Sequence, residues 1–224
     1  MFNNCDPNTN GESSFYNFFI KNKASIIFDV GSRNDTLFDT FEGEVHYFEP
    51  DVTTINQLKL ISHKNNKVYY NNFGLGNSNC ILPYYSETQS FIKRNISCPN
   101  INHIANKEFI IKRASEYIID NKISNIDFLK IDTEGYEYEV IKGFDDSIKI
   151  VKIIQFEYGG TFMDSGISLK DIINYLESKG FHSFSYLVNN GLSQITDKTD
   201  HYQYCNIVCF NNDFFSTDFI NDLK

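Results

Sequence analysis

The chain has 224 residues, of which 41% are hydrophobic and 22% charged, so it can bury one compact core but is short for two full domains. Its mean hydropathy is −0.36, and no apolar run approaches the ~18 residues of a membrane-spanning helix, which excludes an integral membrane protein. Twenty basic and 29 acidic residues give a net charge of −9 without a dense basic stripe, which disfavours nucleic acid as a partner.

The cysteines and the first residues indicate the compartment. The cysteines show neither CxxC nor CxxH spacing, which disfavours both a disulfide framework and a structural zinc site. They are Cys5, Cys80, Cys98, Cys205 and Cys209. Residues 1–14 lack the basic and apolar parts of a secretory signal, so we expect a cytoplasmic protein.

Strand and helix patterns alternate along the chain. Short apolar, β-branched runs, most of which end in an acidic residue, predict strands at 25–30, 45–49, 67–71, 126–132 and 152–157. Helical patterns lie at 51–62, 115–121, 136–142 and 168–179. This alternation predicts a single α/β domain with a doubly wound, mostly parallel sheet and helices on both faces.

Glycines, prolines and turn residues refine this outline. Gly143 and Gly180 follow two helical patterns and are predicted to be left-handed C-caps. The runs 183–188 and 204–210 flank a turn at 189–191, which predicts an antiparallel pair at the C-terminal edge of the sheet. Residues 74–112 show no clear period, so we expect an insertion that forms a lid over the active site. Residues 1–24 are expected to be an N-terminal helical extension.

The ends of the first two strands indicate an adenosine-type ligand. Asp29 and Gly31 end the first strand, and Glu49 ends the second, twenty residues after Asp29. Ligands of open α/β sheets bind outside the carboxyl ends of the strands, and an acidic residue at this spacing suits a ribose diol. Either carboxylate alone is as well explained by the end of a buried strand, but the pair at this spacing favours binding.

The loop after the first strand narrows the choice of ligand. Arg33 and Asp35 follow Gly31, where a dinucleotide loop needs further glycines, and Asp35 would place negative charge near a phosphate. S-adenosylmethionine carries no phosphate and has a cationic sulfur. An acidic mouth formed by Asp29, Asp35 and Asp132 therefore favours this cofactor over a dinucleotide.

Four motifs follow one another in the order found in one enzyme family. They are Ile27-Phe-Asp-Val-Gly31, Tyr47-Phe-Glu-Pro50, Asp127-Phe-Leu-Lys-Ile-Asp-Thr-Glu-Gly-Tyr-Glu137 with Val140-Ile-Lys-Gly143, and Ile154-Gln-Phe-Glu157. Over roughly residues 25–160 the chain resembles the FkbM-type S-adenosylmethionine-dependent methyltransferases. The resemblance implies a Rossmann-like class I methyltransferase fold with a seven-stranded sheet. It also implies methylation of hydroxyl groups, often on sugars, glycans or natural-product scaffolds.

The resemblance also assigns residues to the cofactor. Asp29 and Gly31 would lie beside its methionine part, Glu49 on its ribose, and Asn72 near its adenine. The family loop usually reads Gly-Ala-Asn-x-Gly, whereas this chain has Gly31-Ser-Arg-Asn-Asp35. A side chain from Arg33 or Asp35 must therefore be accommodated beside the cofactor.

The predicted catalytic groups stand at the ends of two neighbouring strands. Lys130, Asp132 and Glu134 belong to one strand end and Glu157 to the other. In one version, Asp132 or Glu157 accepts the proton of the acceptor hydroxyl and Lys130 orients the groups. In the other, Asp132, Glu157 and Glu134 hold Mg²⁺, which lowers the pKa of that hydroxyl. A purely structural role for Asp132, as an N-cap of the following helix, is compatible with either version.

The sequence favours an O-methyltransferase that acts on a small-molecule or carbohydrate hydroxyl. Two alternatives stay open, namely a ribose 2'-O-methyltransferase of RNA and an S-adenosylmethionine-binding module without catalysis. The missing basic groove counts against RNA, and Arg33 and Asp35 motivate the non-catalytic module. Homo-oligomerisation also stays open.

Overall fold

The computed structural model describes residues 2–33, 37–61, 67–189 and 191–222. The strands are β1 Ile26–Val30, β2 Glu44–Phe48, β3 Val68–Asn71, β4 Gly74–Gly76, β5 Cys80–Tyr84, β6 Lys107–Arg113, β7 Ile126–Ile131, β8 Val151–Tyr158, β9 Phe181–Val188, β10 Gly191–Gln194 and β11 Cys205–Asn211. The helices are α1 Glu12–Phe15, α2 Val52–Leu58, α3 Ala114–Asp120, α4 Glu137–Gly143, α5 Thr161–Ser165, α6 Leu169–Glu177 and α7 Thr217–Asn221. A π-helical turn, Tyr16–Ile20, continues α1, and a 3-10 helix, Asp145–Ile150, precedes β8.

The central sheet has the order β10-β9-β11-β8-β7-β1-β2-β3. Strands β3, β2, β1, β7 and β8 are parallel, and β11 runs antiparallel to both β8 and β9. The chain leaves β1 toward β2 and β3 and later returns beside β1 as β7, so the strand order reverses between β1 and β7. The predicted doubly wound, mostly parallel α/β sheet with an antiparallel C-terminal edge is confirmed.

The sheet has one strand more than the seven predicted. The short strand β10 follows β9 and pairs antiparallel with it, and residue 190 of the predicted turn lies outside the described residues. Residues 183–188 do pair antiparallel with the later run, as predicted, but through β11 on the other side of β9. Strands β9 and β10 are therefore paired neighbours, and the sequence pattern did not indicate β10.

Both faces of the sheet are covered, which explains the nearly continuous apolar strands. Alternate side chains of the strands enter two cores. One core contains Phe28, Leu129 and Ile154 and is covered by α3, α4, α5 and α6. The other contains Ile27 and Phe128 and is covered by α1, α2 and α7.

The two glycines predicted as C-caps differ. Gly180 has φ +101°, as a left-handed cap requires. Gly143 is the last residue of α4 and has no positive φ. A Cβ at Gly143 would collide with the carbonyl oxygen of Gly76, so the glycine permits α4 to pack closely on β4. The left-handed assignment of Gly143 was wrong for that reason.

Residues 74–112 are more regular than expected. They contain the small sheet β4-β6-β5, in which β6 runs parallel to β4 and antiparallel to β5. The irregular part is confined to residues 85–106. Of the described part of the chain, no helix combines the length and the apolar character needed to cross a bilayer.

Candidate functional site

Two loops meet at the point where the strand order reverses. One follows β1 from Gly31 onward, and the other follows β7 from Asp132 to Tyr136. The backbone N–H of Asp132 donates to the carbonyl oxygen of Val30 at 2.9 Å, which joins the loops. Gly31 has φ +82°, and a Cβ there would collide with the carbonyl oxygen of Asp132. The approach of the two loops therefore requires glycine at position 31.

Three cavities surround this junction, and all three are lined by Arg33 and Asp132. They are called the first, second and third cavity below. The walls of the first cavity include Phe48, Glu49, Leu75, Tyr84, Phe91 and Tyr136. The walls of the second include Cys5, Glu12, Ser13, Ser32 and Lys130. The walls of the third include Arg94, Glu134, Glu157, Gly159, Thr161 and Tyr204.

Glu49 supplies the carboxylate of the first cavity and is only 6% exposed. Its Oε2 accepts a hydrogen bond from the backbone N–H of Arg33 at 3.1 Å, and its Oε1 accepts one from that of Asp51 at 2.8 Å. Burial raises its pKa, although these two hydrogen bonds oppose the rise. A carboxylate offers about four acceptor positions, so Glu49 can also accept hydroxyl donors from a ligand.

Two residues assigned to the cofactor lie outside the cavity walls. Asn72 is exposed, and its side-chain amide donates to the carbonyl oxygens of Glu49 and Pro50 at 3.2 and 2.8 Å. In this structure Asn72 braces the loop after β2, and its assignment to the adenine stays a prediction. Asp29 is fully buried within β1, opposite Lys130 in the strand register, and does not line these cavities. Asp35 lies outside the described residues.

Lys130 lies at the base of the second cavity and is 5% exposed. Its Nζ is 3.6 Å from Oε1 of Glu12 and 3.7 Å from Oδ2 of Asp132. Glu12 Oε1 also accepts a hydrogen bond from Nε2 of Gln155 at 3.0 Å. Glu12 was not predicted, because it is a lone acidic residue in the short helix Glu-Ser-Ser-Phe and nothing near it in the sequence indicates its contact with Lys130.

The third cavity brings together the predicted catalytic carboxylates. One oxygen from each of Asp132, Glu134 and Glu157 lies within 4.8 Å of the others. Burial and the negative charge of Asp132 raise the pKa of Glu157 well above its usual range. Burial also opposes ionisation of Asp132, but the Lys130 ammonium and a hydrogen bond from Glu157 outweigh it and lower the pKa of Asp132. Glu157 is thus the protonated partner and Asp132 the carboxylate.

Glu134 is held by two arginines. Nη2 of Arg33 lies 2.7 Å from Oε1 of Glu134, and Nη1 of Arg94 lies 3.2 Å from Oε2. Arg94 lies in the irregular segment 85–106, where no sequence pattern indicates a functional residue. Tyr204, which was not predicted either, lines the second and third cavities, and its pKa is raised mainly by burial and also by the charge of Asp132.

Asp132 does not cap the following helix. The backbone N–H groups of Thr133 and Gly135 donate instead to the carboxylate of Glu137 at 2.9 Å each, and Glu137 is the first residue of α4. The side chain of Asp132 is left available to the cavities. Its Oδ1 is buried and receives no hydrogen bond from an N–H or hydroxyl group of the described residues.

The donor set does not fit Mg²⁺ in this arrangement. Both carboxylate oxygens of Glu134 already face guanidinium groups, and Nζ of Lys130 lies 3.7 Å from Oδ2 of Asp132. A cation would have to displace two arginines, and Lys130 would repel it from Asp132. The arrangement therefore favours a hydrogen-bonded pair of carboxyl groups over the predicted magnesium ligands Asp132 and Glu157.

The sequence of this chain matches one known protein family. The model of the methyltransferase FkbM domain matches residues 29–183, which is more than half of the chain. A search of curated proteins finds no match.

Several solved structures are similar in fold. The plantazolicin methyltransferase BpumL in complex with SAH is 8% identical, with 89% of this chain and 80% of that chain covered and a TM-score of 0.47. The Methanococcus jannaschii fibrillarin pre-rRNA processing protein is 12% identical, with 92% and 76% covered and a TM-score of 0.46. Magnesium protoporphyrin IX methyltransferase from Synechocystis PCC 6803 is 8% identical, with 83% and 69% covered and a TM-score of 0.43.

Proposed function

Because the chain belongs to the FkbM family of S-adenosylmethionine-dependent methyltransferases, we propose that it methylates a hydroxyl oxygen of a sugar, glycan or small natural-product-like acceptor. The observation that carries this proposal is the meeting of three cavities at Arg33 and Asp132, where the strand order reverses. The first two cavities, which share Gly31, Arg33 and Asp132 in their walls, suit a two-part cofactor, and the third offers a separate place for an acceptor.

The side chains that line the first two cavities support a place for each end of the cofactor. The first has aromatic and aliphatic walls for an adenine ring, and Glu49 offers acceptor positions for the ribose hydroxyls. The second has the acidic Glu12 and the basic Lys130, whose charges suit the ammonium and carboxylate of a methionine part. The buried Oδ1 of Asp132, which lacks a donor among the described groups, lies where the cavities join.

The third cavity supports direct proton removal. When bound, S-adenosylmethionine supplies an electrophilic methyl group on a cationic sulfur. Asp132 would accept the proton of the acceptor hydroxyl while that oxygen takes up the methyl group, whose bond to sulfur breaks so that S-adenosylhomocysteine leaves. Lys130, 3.7 Å from Asp132, keeps this carboxylate ionised at neutral pH. The carboxyl group of Glu157 donates a hydrogen bond to the Asp132 carboxylate and so holds that carboxylate in one orientation.

Methyl transfer and its dependence on Asp132 test this proposal. The protein is incubated with S-adenosylmethionine and a panel of sugars, and S-adenosylhomocysteine and the methylated product are measured by mass spectrometry. We expect an O-methyl product, and Asp132→Asn should lower kcat by about 10²–10⁴-fold because the proton acceptor is lost. The affinity for S-adenosylhomocysteine should stay within about threefold, since the backbone bond to Val30 does not involve the side chain.

Asp120→Asn is the matched control, since Asp120 is exposed at the end of α3 and should leave kcat unchanged. A chelator should also leave turnover unchanged. A loss of turnover on chelation would instead favour the mechanism in which Mg²⁺ lowers the pKa of the acceptor hydroxyl. Methylation at nitrogen would contradict the proposed chemistry. Cofactor binding without turnover on any acceptor would favour the non-catalytic module, and turnover on RNA alone would favour the ribose 2'-O-methyltransferase.

A further inference from the structure

Two arginine side chains from distant parts of the chain converge on one carboxylate inside the third cavity. Arg33 comes from the loop after β1 and Arg94 from the segment 85–106, and their guanidinium groups reach opposite oxygens of Glu134 at 2.7 and 3.2 Å. Both arginines line the third cavity, and so do Asp132 and Glu157. The pair Arg33 and Arg94 is called the arginine pair below.

We propose that the arginine pair binds an anionic group of the acceptor, a carboxylate or a phosphate ester, which takes the place of the Glu134 carboxylate. The inference rests on the proposed function and narrows its acceptor to acidic hydroxyl compounds. A carboxylate is the favoured group, because the arginine pair already holds a carboxylate at this position.

The arginine pair has N–H donors that its hydrogen bonds to the described residues do not use. Within the described residues, Arg33 donates from Nη2 to Glu134, and Arg94 donates from Nη1 to Glu134 and from Nε to Ser97 at 3.1 Å. A guanidinium has five N–H donors, so most of the donors of the pair are not used by these bonds. Two guanidinium groups can therefore hold an acceptor anion by more than one hydrogen bond.

The exposure and backbone conformation of Glu134 favour replacement of its carboxylate by an anionic group of the acceptor. Its side chain is 20% exposed at the cavity wall, and its backbone has φ +54°, a left-handed conformation that is strained for glutamate. Arg33, which faces it, has φ +48°. The ion pair holds both residues in these conformations, so an incoming anion that replaces the carboxylate also permits Glu134 to relax toward solvent.

The geometry joins recognition to the proposed chemistry. Glu134, held by the arginine pair, offers an oxygen within 4.8 Å of oxygens of Asp132 and Glu157. An anionic group bound in place of Glu134 would therefore lie a few ångströms from the proton acceptor. A sugar acid spans such a distance, because its hydroxyl groups lie near its carboxylate. The arginine pair thus acts as an orienting site for the hydroxyl that reacts.

Direct binding of small sugars tests the inference. The protein is saturated with S-adenosylhomocysteine and titrated by calorimetry with D-glucuronate, D-glucose 6-phosphate and D-glucose. We expect at least one of the two anions to bind about tenfold or more tightly than glucose. Tighter binding of glucuronate identifies the group as a carboxylate, and tighter binding of glucose 6-phosphate identifies it as a phosphate. If the unmodified protein binds glucose as tightly as both anions, or more tightly, the inference is overturned.

Three variants locate the effect. Arg94→Gln should remove the advantage of the anion over glucose and leave the Kd for glucose and for S-adenosylhomocysteine unchanged. Lys93→Gln removes the same charge one position earlier, from an exposed side chain outside the cavity wall, and should preserve the advantage. Glu134→Gln should tighten anion binding about three- to tenfold, because the competing carboxylate is gone. Weaker anion binding by Glu134→Gln, with its fold intact, would mean that Glu134 is only a structural partner.

The two proposals fail separately. If S-adenosylhomocysteine does not bind, the proposed function falls, and the same titration of the protein alone still decides between anion and glucose. If the cofactor analogue binds and neutral sugars are preferred, the methyltransferase proposal stands and the acidic acceptor is discarded.

Discussion

Two residues of the loop after β1 have positive φ for different reasons. Gly31, at φ +82°, has no space for a Cβ because the carbonyl oxygen of Asp132 occupies it. Arg33, at φ +48°, carries a side chain, and its ion pair with Glu134 and the bond from its N–H to Glu49 hold it there. The start of this loop is therefore fixed at Gly31 by steric contact and at Arg33 by charge and a backbone hydrogen bond.

Gly31→Ala should separate the two loops that form the cavities. The new Cβ would meet the carbonyl oxygen of Asp132 and would also be strained at this φ. We expect the free energy of unfolding to fall by about 2–4 kcal/mol and the affinity for S-adenosylhomocysteine to fall more than tenfold. Urea denaturation and calorimetry measure the two effects.

Gly166→Ala is the matched control for Gly31→Ala. Gly166 also has a positive φ, +69°, but its Cβ would meet no atom within 4 Å. This variant should show the conformational cost of about 1–2 kcal/mol alone, with cofactor affinity unchanged. Equal effects of the two variants on affinity would contradict the role given to the contact between the loops.

The predictable site residues are those that follow from strand ends. Glu49 and Asp132 could be placed because parallel strands end at one edge of the sheet. Arg94 and Glu12 could not be placed in this way. Arg94 contacts Glu134 and Glu12 contacts Lys130, which are far away in the sequence, and no local pattern predicts either contact. Asp29 was placed at the cofactor although it is fully buried, because a strand pattern does not show where exposure begins.

At the scale of elements, the loop from Asp132 to Tyr136 is shaped by a buried carboxyl group on the helix that follows it. Glu137 is 1% exposed and accepts hydrogen bonds from the backbone N–H groups of Thr133 and Gly135 and from the Thr133 hydroxyl at 3.0 Å. Burial nevertheless raises the pKa of Glu137 to about 7, although these hydrogen bonds oppose the rise. Helix α4 thus begins with a residue that fixes the shape of the catalytic loop.

Glu137 should make stability depend on pH. Because its folded pKa of about 7 lies above the ordinary value of 4.5, the folded state holds this proton more tightly than the unfolded state. The free energy of unfolding should therefore fall as pH rises from about 4.5 to 7, by up to about 3 kcal/mol relative to Glu137→Gln. Urea denaturation of both proteins across this range measures the difference.

Glu139→Gln is the control on the same helix, because the Glu139 carboxylate is part-exposed and pairs with Lys142 at 2.7 Å. The unmodified protein and this variant should keep a nearly constant difference in stability across the range. A constant difference between the unmodified protein and Glu137→Gln would show that burial does not control the ionisation of Glu137.

The predictable elements are the long buried ones. Strands β7 and β8 are mostly apolar and buried along nearly their whole length, and α6 has apolar residues at helical spacing behind a capping box of Ser168 and Asp171. The small sheet was missed because β5 contains Pro83 and alternates between half-buried and exposed positions. Strand β10 has only four residues, which is too short for a period to be recognised.

At the scale of the whole molecule, the site draws on both ends of the described chain. The backbone N–H of Asn3 donates to the carbonyl oxygen of Tyr204 at 2.8 Å, and the N–H of Tyr204 donates to Oδ1 of Asn3 at 3.0 Å. Cys5 and Tyr204 line both the second and the third cavity. The N-terminal segment thus forms a wall of the site, a role that the composition of residues 1–24 does not indicate.

Hydrogen exchange should show which part of the cofactor orders this wall. S-adenosylhomocysteine spans the first two cavities in our proposal, whereas adenosine reaches only the first. At 100 times its Kd, either ligand should stabilise the fold by about 2.7 kcal/mol. Amides of residues 3–13 should gain protection with S-adenosylhomocysteine but not with adenosine, because Glu12 and Ser13 line the second cavity.

Amides of α6, whose residues do not line the three cavities, serve as the internal control. Equal protection of residues 3–13 by both ligands would contradict the division of the cofactor between the two cavities.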